Sequence, residues 1–141
     1  MSVRNWTYGY DLNFLNEDTP FRSWFLGLFV TDGHLSNKKE VMFGFTDKQL
    51  IDNLVLHTNY VNNVSVLVRC GDHPKWKDSY LIRFSSPIAN KLISFGFSRG
   101  KKSGKTFVPM CVSDNTFSHF LRGVVEGDGC FRVDTNFLFV L

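Results

Sequence analysis

Phe25-Leu26-Gly27-Leu28-Phe29-Val30-Thr31-Asp32-Gly33 is an apolar run that stops abruptly at Asp-Gly. The same design returns as Leu121-Arg122-Gly123-Val124-Val125-Glu126-Gly127-Asp128-Gly129. In both copies a Gly stands five residues before the Asp, and the offset is constant: 123 − 27 = 96, 128 − 32 = 96 and 129 − 33 = 96. A single copy is best explained as a turn, because Asp-Gly is a strong turn dipeptide. The repeat reverses that preference and points to a duplicated unit with one acid per copy.

Outward from the first copy, Thr19-Pro20 makes a helix start, with Thr as cap and Pro at the first helical position. The helix should run from Pro20 to about Thr31, apolar nearly all round and therefore buried. Gly33 should end it in the left-handed conformation. Residues 34–36 and 40–46, around the turn Asn37-Lys38-Lys39, read as a hairpin. Thr46 or Asp47 then caps a helix with Leu50, Ile51, Leu54 and Val55 on one face.

Alternation at Val64, Val66 and Val68 and at Tyr80, Ile82 and Phe84 predicts a second hairpin with one apolar and one more polar face. Ser86-Pro87 starts a third helix with a buried stripe of Ile88, Leu92 and Ile93, and Gly96 ends it. Residues 115–126 form the second apolar helix, and 130–133 with 137–141 repeat the first hairpin. The fold class is α+β, in the order αββαββα followed by αββ. Residues 1–18 read as an N-terminal arm, 19–112 as a first repeat, and 113–141 as an incomplete second repeat, since Leu141 matches Phe45 (141 − 96 = 45).

A chain of 141 residues is long enough for one domain with a real core. Its net charge of +3 permits nucleic-acid binding without demanding it. Cys70, Cys111 and Cys130 are odd in number and form no C-x-x-C, which argues against a disulfide framework or zinc ribbon and for a reducing, intracellular setting. Cys70 and His73 lack a second pair to complete a tetrahedral site. The N-terminus has no secretory apolar core, and the longest apolar run, 24–30, is too short to span a bilayer, so no membrane partner is expected.

An acid at the C-terminal end of a buried helix meets the negative end of the helix dipole. Two such ends side by side add like-charge repulsion. A divalent cation between Asp32 and Asp128 would relieve both penalties. Small residues one turn apart, Gly27 with Thr31 and Gly123 with Gly127, would let the two backbones approach closely in parallel. Carboxylates of this kind suit Mg²⁺ (or Mn²⁺), and such a site can activate water and stabilise the leaving oxygen of a phosphodiester.

These two stretches resemble the signature helices of LAGLIDADG homing endonucleases. Phe43-Gly44-Phe45-Thr46-Asp47-Lys48 is similar to that family's strand leading to its middle helix. Gly96 through Lys105-Thr106 to Pro109 is similar to its Gly…Lys-Thr…Pro segment, and His119-Phe120-Leu121-Arg122-Gly123 to its approach to the second motif. The resemblance covers nearly the whole chain from Thr19. It implies an antiparallel saddle over double-stranded DNA, with a second copy cut after αββ, and Mg²⁺-dependent hydrolysis of both strands in a phage, intron or intein mobile element. It implies that Asp32 and Asp128 hold the metal, that Lys105 stabilises charge on the scissile phosphate, and that Asp47 orders water near the metal. Val30, where the first motif often has an acid, and Leu26, where a small residue is usual, depart from the pattern.

The less apolar hairpin face should meet DNA, because a two-stranded ribbon fits the major groove. Ser36, Arg69, Arg83 and Arg132 are the candidates on strands, with Lys38, Lys39, Lys75 and Lys77 in turns. Each phosphate contact would steepen the log–log salt dependence by roughly 0.9. Gly104-Lys105-Thr106 resembles the end of a Walker A loop, but Arg99 stands where its Gly is required and no strand precedes it. Rival readings are a catalytically inactive or truncated DNA-binding remnant, a maturase-like RNA splicing factor and a non-cleaving regulator. A homodimer or a separate chain could supply the missing half-saddle.

Overall fold

A computed structural model describes residues 9–67, 78–98 and 108–128. The elements run α1 (Pro20–Asp32), β1 (His34–Leu35), β2 (Val41–Phe45), α2 (Lys48–Thr58), β3 (Ser65–Leu67), β4 (Ser79–Phe84), α3 (Ser86–Ser94) and α4 (Phe117–Asp128). The strands form one antiparallel sheet in the order β1-β2-β4-β3. The fold is thus α+β, with four helices and a four-stranded sheet. The expected strands at 130–133 and 137–141 lie outside the described residues.

Alternation decides which sheet face is covered. Val41, Phe43, Phe45, Ile82 and Phe84 are buried, while Gly44 and Arg83 are exposed. Register places His34, Met42 and Arg83 in one row across β1, β2 and β4, and Gly44 beside Leu81 in the next. On the covered side, Phe25 of α1 meets Phe43 edge-on at 5.2 Å and Phe84 at 5.8 Å between ring centroids. Phe29 meets Phe43 at 6.1 Å and Phe97 at 4.8 Å. Each such edge-to-face pair adds about 0.5–1.5 kcal/mol beyond area burial.

The helix starts follow local capping chemistry. Thr19 accepts a hydrogen bond from the amide of Arg22 at 3.0 Å, and Asp47, rather than Thr46, accepts from that of Gln49 at 2.9 Å. Every residue of α1 from Arg22 to Val30 is buried, as an all-round apolar helix requires. Five details differ from sequence expectation. In β3, Val66 is exposed together with Leu67 instead of lining a covered face. Gly33 is extended (φ −75°, ψ 155°), not left-handed, so the chain passes straight from α1 into β1. A Cβ there would collide with the Phe29 side chain, so space rather than dihedral freedom demands glycine. The cap of α3 is Ser85, without a side-chain cap bond; its amide donates to the Tyr10 hydroxyl at 2.6 Å. Ile93 is exposed and the stripe is Ile88, Ala89 and Leu92. The second apolar helix begins at Phe117 rather than 115.

Two described side chains ahead of α1 belong to the core. Tyr10 and Leu15 are fully buried, and Tyr10 stacks on Tyr60 and packs edge-on against Phe84. A polar lock joins the first turn of α1 to the approach to α4. Ser23 Oγ donates to Thr116 Oγ1 (2.8 Å), which donates to Asp18 Oδ1 (2.8 Å). The buried Arg22 guanidinium donates to the Cys111 carbonyl at 2.6 Å and pairs with Asp18 at 3.4 Å. Hydrogen bonds from Ser113 and Thr116, more than the nearby Arg22 charge, hold the Asp18 carboxyl below its usual range.

Because the folded pKa of Asp18 is depressed, its contribution is present above the unfolded value of about 4 and lost as pH falls through the folded value. Asp18→Asn should therefore flatten the decline in stability below about pH 4 while leaving the neutral range parallel to wild type. Urea unfolding across that interval measures it, and an unchanged acid limb would contradict the assignment.

Candidate active site at the paired helix ends

The site is built by two helices that touch through their main chains. α4 lies parallel against α1, and the contact is reciprocal. A Cβ on Gly27 would collide with the Phe120 carbonyl oxygen and stand 2.9 Å from the Val124 amide nitrogen. A Cβ on Gly123 would collide with the Trp24 carbonyl oxygen and stand 2.9 Å from the Leu28 amide nitrogen. The partners obey the sequence repeat, since 24 + 96 = 120 and 28 + 96 = 124. The two copies are thus related by a local two-fold through Gly27 and Gly123.

One turn further on, Thr31 faces Gly127 (31 + 96 = 127). Thr31 Oγ1 donates to its own helix, to the carbonyls of Leu28 (3.1 Å) and Gly27 (3.3 Å). A Cβ on Gly127 would collide with that oxygen. All four expected helix-packing residues therefore lie at the seam. Leu26, at the position where a smaller residue was expected, is fully buried in the core.

Parallel packing brings the C-terminal ends of α1 and α4 to one end of the pair. Asp32 is the last residue of α1 and is exposed, and Asp128 is the last residue of α4. Of the Asp128 residue, the backbone alone is described. Asp32 lines an open depression of about 360 Å³ with Gly44, Phe45, Thr46, Asp47, Leu50, Glu126 and Gly127. Asp47 thus borders the same space as Asp32, with its Oδ1 already engaged by the α2 cap. Among the described residues no group of three or more His, Cys, Asp and Glu forms a ready-made metal cage. The donors bordering the depression are carboxylate oxygens, the hard chemistry that suits Mg²⁺ bound through one or two carboxylates with retained waters.

Glu126 was missed in the sequence. It stands where the first copy has Val30 (126 − 96 = 30), and it accepts a hydrogen bond from Trp24 Nε1 at 2.9 Å. Arg122 pairs with it at 3.9 Å and lies over the Trp24 ring. Only the i,i+4 spacing of Arg122 and Glu126 was visible in advance; Trp24 is 102 positions away. Glu126 also borders a depression of about 430 Å³ along α2 and another of about 320 Å³ near the start of α1. The latter is lined by His57 and His119 but not by Asp32.

Of the expected DNA contacts, Lys38, Lys39 and Arg83 are exposed, with Arg83 on the open sheet face. Ser36 is half-buried, and its hydroxyl oxygen accepts from the amides of Lys38 (3.2 Å) and Glu40 (3.1 Å), so it organises the turn. His34 shares Arg83's row and was not anticipated. Lys105, Arg69, Lys75, Lys77 and Arg132 lie outside the described residues. No helix among the described residues is long and apolar enough to cross a membrane. No protein-family model and no curated protein matches the chain.

Gly123→Ala should cost about 1–3 kcal/mol, the usual scale of overpacking, because the opposing atoms are backbone and cannot swing aside. The loss is expected in the denaturant midpoint. A variant as stable as wild type would show that the two helices do not meet at Gly27 and Gly123.

Proposed function

We propose that the chain is a DNA endonuclease of the LAGLIDADG homing type, hydrolysing phosphodiester bonds of double-stranded DNA with Mg²⁺ or Mn²⁺. The observation that carries this reading is the reciprocal Gly27–Gly123 crossing, which brings two Asp-terminated helices to a common end. Packing alone does not call for an acid at each of two adjacent helix C-termini, where the dipoles oppose negative charge. A cation-dependent reaction gives that arrangement a purpose. The element order from α1 to α4 agrees with the expected saddle, with the sheet's open face as its DNA side.

In this reading Asp32 and Asp128 hold the cation. When bound, the cation would polarise a phosphoryl oxygen and activate water for attack on phosphorus. Asp47 orients water at the rim of the depression while capping α2, which fixes its backbone. Arg83, Lys38 and Lys39 contact phosphates and position the duplex, without themselves specifying sequence. Lys105 is assigned to charge stabilisation on the scissile phosphate, from the sequence resemblance alone.

Purified protein incubated with Mg²⁺ and DNA carrying its own uninterrupted insertion site should cut both strands. Asp32→Asn and Asp128→Asn should each slow cutting by about 100-fold or more, the scale of losing a main electrostatic stabiliser of the transition state. Chelation should abolish it. DNA that is retained but never cut in an Asp-dependent way would replace the nuclease reading with a binding module.

A further inference from the structure

Gly44 stands one residue from the end of β2, and nothing among the described residues gives the fold a reason for it. Glycine weakens a strand interior through backbone entropy and lost side-chain packing. Elsewhere among the described glycines the reason is visible. Gly9 and Gly96 have left-handed φ of 82° and 109°, and Gly27, Gly33, Gly123 and Gly127 sit where a Cβ would collide. Gly44 has neither feature. A Cβ there would meet Leu81 Cδ1 at 3.7 Å and the Tyr80 carbonyl oxygen at 3.9 Å, ordinary van der Waals contacts. The residue is exposed on the open face of the sheet, between buried Phe43 and Phe45. It borders the depression that also holds Asp32, Asp47 and Glu126. Its neighbour along β2 on the same face, Met42, pairs with Arg83.

We infer that Gly44 is the point where a nucleic-acid strand comes into contact with the β2 main chain, its bare Cα leaving room for a phosphodiester to reach the acid-lined depression. The inference rests on the DNA reading above and adds a positioning residue to it. Glycine inside a strand commonly marks close approach by a ligand or another backbone. Here the approach comes from the open face, because the other face is packed under α1. A side chain at this position would stand between the arriving strand and the carboxylates. Arg83, exposed on the same face, is placed to take a phosphate of the same strand.

The test separates space for a ligand from space for the fold. Gly44→Ala adds only the Cβ that the structure accommodates, and Gly44→Val adds a residue that strands favour. Both should melt at or above the wild-type temperature. The probe is a labelled duplex recovered from a random-sequence pool by the wild-type protein. Binding is read by anisotropy in Ca²⁺, an oxygen-seeking cation that offsets the same carboxylate charge. Gly44→Val should bind about tenfold or more weakly, equivalent to about 1.4 kcal/mol, with Gly44→Ala between it and wild type. Variants that bind as tightly as wild type would overturn the inference while leaving the DNA reading intact. Affinity lost only in step with melting temperature would overturn it too, by making Gly44 a structural residue. Wild-type protein that recovers no duplex would overturn both.

Discussion

The main-chain crossing of α1 and α4 at Gly27 and Gly123 is the constraint on which the rest depends. Helices usually keep their axes about 8–10 Å apart because side chains intervene. Here each glycine presents its bare backbone to a carbonyl and an amide of the other helix. That closeness determines how near the two helix ends lie, and hence whether Asp32 and Asp128 can serve one cation. It also explains the burial of α1 on all sides, with the sheet's aromatic face against Phe25 and Phe29 and a second helix against Trp24, Leu28 and Thr31.

Two polar assemblies hold the crossing from its edges. At the start of α1, Asp18, Arg22 and Ser23 tie the helix to Cys111 and Thr116, just ahead of α4. Further along, Glu126 accepts a hydrogen bond from the Trp24 indole N–H, and Arg122 covers the ring. Buried polar groups are costly unless paired, so these bonds oppose sliding of one helix along the other. The apolar seam gives adhesion and the polar bonds give register.

Features with local causes were legible in the sequence. Thr19, Pro20 and Asp47 mark helix starts through capping, alternation marks the covered faces of β2 and β4 but not of β3, and the 96-residue repeat marks the acid-ended helices. Features with distant causes were not. Tyr10 lies in a stretch without period, yet its ring and hydroxyl close the core against Tyr60, Phe84 and Ser85. Glu126 drew no assignment because its partner, Trp24, is far away in the chain. Gly33 was assigned to dihedral freedom when the cause is the Phe29 ring, a distinction that composition alone does not carry. The part Ser36 plays in its turn was not legible either: its oxygen accepts from two turn amides.

Thr31 and Gly127 face each other across the local two-fold, and there is room for a side chain on one side only. The two motifs are therefore not free to diverge separately. An enlargement at position 127 is admissible only after position 31 has been trimmed, and the reverse order passes through a collision. Positions 31 and 127 thus share a single allowance of volume between the two copies, and at present Thr31 fills it.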